Sequence, residues 1–310
     1  MDDTILVTGG AGFIGSHVVD ALLARGARVA VVDDLSTGRR ENLDGALAAG
    51  ANFYEADVRD ADVTRPIIAH ERPDAIFHLA AQIDVRRSVE SPAFDARVNV
   101  EGTINLLDSA LQAGVGRFLY ASTGGAIYGE ADRIPTPEGA PAAPLSPYGQ
   151  GKLAAEGYCT LFERLRGLPV AALRFANVYG PRQDPLGEGG VIAIFCGRAA
   201  TGGAATVFGD GHQTRDFVYV SDVVDALLAA GDGNARGSFN VGTGRETSVL
   251  ELAAALREVS GAELPLEHEP ARPGEVVRSC LDASLAREAL GWEARVDLAE
   301  GLRRTLAAVS

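Results

Sequence analysis

Apolar and polar positions alternate along the first half of the chain in two rhythms. Short β-branched runs at Thr4–Thr8, Arg28–Val32, Asn52–Ala56, Ala75–Leu79, Arg117–Ser122 and Val170–Phe175 read as strands. The longer stretches Phe13–Arg25, Asp62–Glu71, Phe94–Gln112 and Tyr148–Arg166 carry apolar residues at helical spacing. Apolar strands separated by amphipathic helices are the pattern of βαβ units, because a parallel sheet is covered on both faces. The expected fold class is therefore α/β, with a doubly wound parallel sheet. After Asn177 the pattern becomes irregular, with Pro181, Pro185, Gly187, Gly189 and Gly190, before a strand at Ser238–Val241 and helices at Val249–Val259 and near Ala283–Leu290. Residues 1–177 are expected to form the main domain, with segments near 215–245 returning to it, and residues 178–310 mainly a smaller α/β cap.

Composition narrows the partners. No apolar run approaches the ~20 residues of a membrane span, so no membrane partner is expected. Asp2-Asp3 leads into Ile5-Leu6-Val7 without a basic, secretion-type start, so a cytoplasmic location is expected. Cys159, Cys196 and Cys280 are widely separated, as are His17, His70, His78, His212 and His268, so neither a disulfide framework nor a metal site is readable. A net charge of −14 argues against a nucleic-acid partner, since phosphate backbones are held by clustered cations. A small phosphate-bearing ligand then needs local help from helix N-termini or single arginines. Among 28 basic residues only Lys152 is lysine, which points to chemistry a guanidinium cannot do.

Gly9-Gly10-Ala11-Gly12-Phe13-Ile14-Gly15 follows the first strand and opens the first helix. Glycines at this spacing permit a tight turn, close approach of a pyrophosphate, and close packing of helix on sheet. The second strand runs into Asp33-Asp34, where a carboxylate reaches ribose hydroxyls and repels a 2′-phosphate, so the expected cofactor is NAD. Asp57-Val58, after the third strand, is placed to flank the adenine.

Tyr148 and Lys152 share a helix face at i and i+4, and Ser146-Pro147 before them is an N-cap followed by Pro at the first position. An unperturbed Tyr titrates near pH ~10. A neighbouring ammonium and an oxidised nicotinamide are expected to favour its phenolate.

The Gly-x-x-Gly-x-x-Gly spacing, with these residues, resembles the extended short-chain dehydrogenase/reductases, the NAD-dependent epimerase/dehydratase family of Rossmann-type enzymes, over essentially the whole chain. Further segments carry the resemblance. His78-Leu79-Ala80-Ala81-Gln82 is similar to the family's fourth-strand turn beside the cofactor, and Asn99 to its cofactor-side Asn. Ala121-Ser122-Thr123-Gly124-Gly125-Ala126-Ile127-Tyr128-Gly129 resembles the segment whose hydroxyl meets the substrate oxygen. That role falls on Thr123 counted from the strand, while a one-residue slip counted from Tyr128-Gly129 keeps Ser122 open. Phe175 would border the nicotinamide. Asn177, Val191, Arg215, Arg272 and Glu275 match positions that hold a nucleotide-sugar diphosphate and its ribose.

The resemblance implies an isomerase nearest the UDP-glucose 4-epimerase branch, epimerising C4′ of a UDP-hexose by reversible oxidation with NAD. Relatives that dehydrate the sugar carry an Asp-Glu pair where this chain has Gly124-Gly125. The small Ser279, at the position closing on the 2′-substituent, extends the expected substrates to UDP-GlcNAc and UDP-GalNAc. The same motifs leave open a UDP-glucuronate decarboxylase, a GDP- or dTDP-sugar epimerase, and a non-catalytic NAD-sensing regulator. The helices Phe94–Gln112 and Tyr148–Arg166 are those through which similar enzymes form homodimers.

Overall fold

The computed structural model describes residues 3–185, 190–271 and 276–309. Six strands follow one another through the first 175 residues: β1 (Thr4–Thr8), β2 (Arg28–Asp33), β3 (Asn52–Glu55), β4 (Ala75–His78), β5 (Arg117–Thr123) and β6 (Val170–Phe175). A seventh, Gly237–Val241, returns from the second half and pairs with β6, so the sheet runs Gly237–Val241, β6, β5, β4, β1, β2, β3, all parallel. Strand order reverses between β1 and β4, and at such a switch point the loops diverge to leave a crevice beyond the strand ends.

Side chains alternate across each strand, so the two faces belong to different cores. Ile5, Val7, Val29, Val31, Phe77 and Leu119 face helices Phe13–Ala24 and Val220–Asp232; Leu6, Ala30, Val32, Ile76 and Phe118 face helices Ala61–Glu71, Gly102–Ala113 and Pro147–Arg166. A third cluster, including Tyr179, Ile192, Phe195, Leu252, Leu256 and Leu302, fills the smaller part of the molecule.

The first half follows the sequence reading to within a few residues, with one correction. The expected helix Phe94–Gln112 begins at Pro92 and is interrupted by a π-helical turn at Arg97–Glu101 before continuing as Gly102–Ala113. Such a turn widens the helix by one residue and is frequent at functional sites. The second correction lies after Asn177, where the stretch taken as irregular holds short strands Asn177–Tyr179 and Phe217–Tyr219, paired in parallel, and helices Val191–Thr201 and Val220–Asp232. Helix Leu298–Val309, also absent from the sequence reading, packs Leu302 into the third cluster. No described helix is long and apolar enough to cross a membrane.

Candidate functional site

One groove lies over the ends of β1, β2, β4 and β5 and collects most of the residues singled out in the sequence. Gly9, Gly12, Phe13, Ile14, Gly15, Asp33, Asp34, Asp57, Val58, Leu79, Ala80, Ala81, Ser122, Tyr148, Lys152 and Phe175 all line it. Val32, Ser36, Thr37, Gly38, Ile83 and Val98 line it too and were not anticipated: Ser36, Thr37, Gly38 and Ile83 lie on loops, Val32 near the end of β2 and Val98 in the π-helical turn.

At its floor Gly9 has φ +70, and a Cβ there would stand 2.6 Å from the Ala80 amide nitrogen. A Cβ on Gly15 would lie 2.0 Å from the Gly9 carbonyl oxygen, so the helix start rests directly on the turn. Helix Phe13–Ala24 begins at Gly12 without a side-chain cap, which leaves its first amides for an anion. This glycine cradle, with a carboxylate at the end of β2, fits a dinucleotide pyrophosphate and ribose. Asp33 is buried and accepts from the Ala11 and Leu35 amides, each at 2.9 Å, which fastens the two turns around the groove. Burial pushes its pKa up. Asp34 is exposed and accepts from the Ser36 amide at 3.0 Å.

Gln82 and Asn99 bind each other at the loop after β4, whose residues Leu79, Ala80, Ala81 and Ile83 line the groove. The Asn99 side chain accepts from the Gln82 amide at 3.0 Å and donates to the Gln82 carbonyl at 2.9 Å and to Asp95 Oδ1 at 3.1 Å. Gln82 Nε2 also donates to Asp95 Oδ1 at 2.9 Å. Both amides are thus spent on fixing the loop after β4, and neither is among the groove's lining residues.

Beneath this loop runs a directional relay. The Ala80 amide donates to Thr8 Oγ1, and Thr103 Oγ1 donates its one proton to the Asn99 carbonyl. His78 lies between the two threonines, 2.7 Å from Thr8 and 3.0 Å from Thr103. Thr8 therefore donates to Nδ1, and Nε2 carries the proton given to Thr103. Burial pushes His78 down to about 3, so the imidazole stays neutral and structural.

Ser146 Oγ accepts from the Gly149 amide at 3.1 Å and Pro147 starts the helix, as its sequence predicts. Tyr148, Lys152 and Glu156 then stack on successive turns. The two glycines beside Tyr148 have a packing reason: a Cβ on Gly149 would meet the Ala126 carbonyl oxygen at 2.6 Å, and one on Gly151 would meet Asp95 Oδ2 at 2.8 Å. The helix can therefore lie against both the strand-end turn and the helix carrying Asp95.

The hydroxyls at the end of β5 part company. Thr123 lies beside Tyr148 and acts to lower its pKa. Ser122 donates to the buried carboxylate of Glu156, which in turn pairs with Arg174 at 2.7 Å. Lys152 is buried with its Nζ 4.5 Å from the centre of the Tyr120 ring. Burial pushes Tyr148 up to about 12, with the Thr123 hydrogen bond opposing it, and pushes Lys152 down to about 8, with Glu156 opposing. The protein's own groups thus favour the phenol, and the phenolate that takes a proton depends on the positive charge of an oxidised nicotinamide.

Across from this pair, Asn177 Oδ1 lies 3.5 Å from where a Gly125 Cβ would stand. A Cβ on Gly124 would meet Leu281 Cδ1 at 2.4 Å. Thr214 forms a corner whose carbonyl accepts from the Ser279 amide at 3.2 Å and from Arg215 at 2.8 Å. The next residue, buried Asp216, accepts from the Thr243, Gly244 and Leu281 backbone and so ties three loops together. Val191 starts its helix half-buried. Arg272 and Glu275 lie outside the described residues. Among the described residues, no three His, Cys, Asp or Glu side chains are arranged to hold a metal. Asp95, Tyr120, Glu156 and Arg174 escaped sequence reasoning because each acts through a partner on another element.

The model of the NAD dependent epimerase/dehydratase family matches residues 5–242. The chain is 50% identical over 303 residues to a UDP-glucose 4-epimerase of Mycolicibacterium smegmatis, covering 97% of this chain and 96% of that one. Among solved structures it is similar to a UDP-glucose 4-epimerase from Thermotoga maritima with UDP-glucose, at TM-score 0.95 and 48% identity over 98% of each chain. It is also similar to a Thermus thermophilus UDP-glucose 4-epimerase complex with NAD, at TM-score 0.93 and 43% identity over 99% of this chain and 98% of that one.

Proposed function

This chain belongs to the NAD dependent epimerase/dehydratase family, and we propose on that premise that it interconverts UDP-glucose and UDP-galactose by inverting C4′ through a transient 4-keto sugar. The observation that carries the reading is Tyr148, one turn from Lys152, with both lining a dinucleotide groove and no acid at positions 124 and 125.

NAD, when bound, would supply a two-electron acceptor and a positive charge that favours the Tyr148 phenolate. Gly9, Gly12, Phe13, Ile14 and Gly15 would hold its pyrophosphate, Asp33 and Asp34 its adenosine ribose, and Asp57 and Val58 its adenine, with Leu79, Ala80 and Ala81 passing beside it and Phe175 bordering its nicotinamide. Lys152 donates to ribose hydroxyls. Tyr148 takes the proton of the 4′-hydroxyl as C4′ is oxidised and returns it after the sugar turns over. Thr123 holds the 4′-oxygen against Tyr148. Asn177, Val191, Arg215, Arg272 and Glu275 grip the UDP portion. Leu281 occupies the space that a side chain at 124 would need, which favours epimerisation over elimination. Ser279 leaves room for an N-acetyl group, so UDP-GlcNAc is expected to turn over as well.

The site is read as residues 1–177, with segments near 215–245, binding the cofactor, and residues 178–310 mainly the sugar nucleotide. Tyr158, Leu161 and Leu165 are exposed along helix Pro147–Arg166, beside exposed Val85 and Val89, and support a homodimer through that face. A cytoplasmic location accords with three free cysteines. Replacing Tyr148 by Phe is expected to lower turnover of UDP-galactose by about 10²–10⁴-fold while NAD stays bound. Near-normal turnover in that variant, or steady release of NADH by the parent, overturns the assignment.

A further inference from the structure

We propose that Tyr120 is a positioning residue for Lys152, its buried ring forming a seat that keeps the side-chain nitrogen charged at the wall of the groove. That role rests on the reading of Lys152 as the cation that donates to the cofactor ribose. Lys152 Nζ stands 4.5 Å from the centre of the Tyr120 ring, and the two residues are only 3% and 1% exposed. At that range an ammonium is drawn to the face of an aromatic ring, the more strongly the less water reaches it.

The contact follows from the way strand and helix meet. Tyr120 and Ser122 are alternate residues of β5 and share one face of the sheet, while Lys152 and Glu156 lie one turn apart on helix Pro147–Arg166. Tyr120 meets Lys152, and Ser122 donates to Glu156. Two carboxylates lie in the field of Lys152, and both are engaged by other partners. Glu156 Oε2 accepts from Arg174 at 2.7 Å, and Asp95 Oδ1 accepts from Gln82 at 2.9 Å and from Asn99 at 3.1 Å. On the same helix, burial pushes the Cys159 thiol up and favours the Tyr148 phenol, so neither brings a charge. From β4, neutral His78 sets its ring centre 5.7 Å from that of Tyr120 and backs the seat without opposing the cation. Burial also raises the Tyr120 hydroxyl well above its ordinary value, so the ring itself stays uncharged. With burial driving Lys152 down to about 8, the attraction of this ring decides how far the ammonium persists as pH rises.

Because the chain holds one lysine, lysine labelled with carbon-13 at Cε gives a single methylene signal in heteronuclear magnetic resonance. In the parent, stripped of nucleotide, its protons are expected upfield of free lysine through the ring current of Tyr120, with a titration midpoint where NAD affinity falls. Tyr120→Phe keeps the ring and is expected to preserve both position and midpoint. Tyr120→Leu is expected to return the signal toward the free position and to lower the midpoint by about one pH unit, the fall in NAD affinity by fluorescence moving with it. A parent signal at the free-lysine position overturns the seat even if Tyr120→Leu does not fold. So does an unmoved midpoint in folded Tyr120→Leu, or an equal displacement in Tyr120→Phe. An affinity lowered by the same factor at every pH marks lost packing alone and also overturns it. If the midpoint moves and the fall in NAD affinity does not follow, the seat stands and the assignment of Lys152 to the ribose falls.

Discussion

Tyr148 and Lys152 were legible because the Ser146-Pro147 start lies just before them and the glycine turn at Gly9–Gly15 is itself a local pattern. What the spacing could not convey is their titration. A half-buried phenol and a buried ammonium are both pushed toward neutrality, Tyr148 up to about 12 and Lys152 down to about 8. For Lys152 the folded value lies below its ordinary 10.5, so the unfolded chain binds more protons between about 8 and 10.5. This residue's contribution to stability therefore rises with pH across that window. Its ammonium, the form that donates to ribose hydroxyls, gives way to the amine over the same range. NAD affinity is expected to weaken as pH rises past about 8, as fluorescence titration would register. Lys152→Met is expected to bind weakly and to lack that dependence; a parent-like pH profile in the variant removes Lys152 from the role.

The helix Pro147–Arg166 is the element on which the site is mounted, and its glycines, cap and face were readable while its anchorage was not. Glu156 lies buried at the next turn after Lys152, accepts from Ser122, and pairs with Arg174 through Nε at 3.1 Å and a terminal nitrogen at 2.7 Å. Arg174 also donates to Tyr128 Oη at 2.8 Å, and Tyr128 donates to Asn240 at 2.9 Å. The helix, β5, β6 and the returning strand are thereby tied in one polar network. A sequence shows Glu156 on a helix and Arg174 in a strand, but not that topology sets them side by side. Removing one partner strands the other charge, so Glu156→Ala is expected to cost about 3–5 kcal/mol in urea unfolding. A loss within ordinary surface values would mean that Arg174 finds water. The π-helical turn Arg97–Glu101 escaped for a related reason: its extra residue is set by the contacts of Asn99 with Gln82 and Asp95, not by helix periodicity.

At the scale of the molecule, the parallel sheet announced itself because strands buried on both faces leave continuous apolar runs. The smaller part did not, since strands of two or three residues such as Thr214–Arg215 and Asn177–Tyr179 are too short to show a period. They exist because Asp216 and its neighbours gather backbone amides from distant loops. The exposed stripe on helix Pro147–Arg166 bears on assembly. Leu165 is 70% exposed and Leu161 43%, so Leu161→Glu with Leu165→Glu is expected to shift a homodimer to monomer in sedimentation analysis without loss of fold. An unchanged sedimentation coefficient would place any interface elsewhere.

The solitary lysine has a practical side. Lys152 carries the only side-chain amine in the chain, and it is 3% exposed. Amine-directed acylation can therefore modify a side chain only when the helix parts from the sheet around Tyr120. A second acyl group in the intact mass, beyond the one at the amino terminus, becomes a clock for that opening, and its slowing by NAD would time the residence of the cofactor.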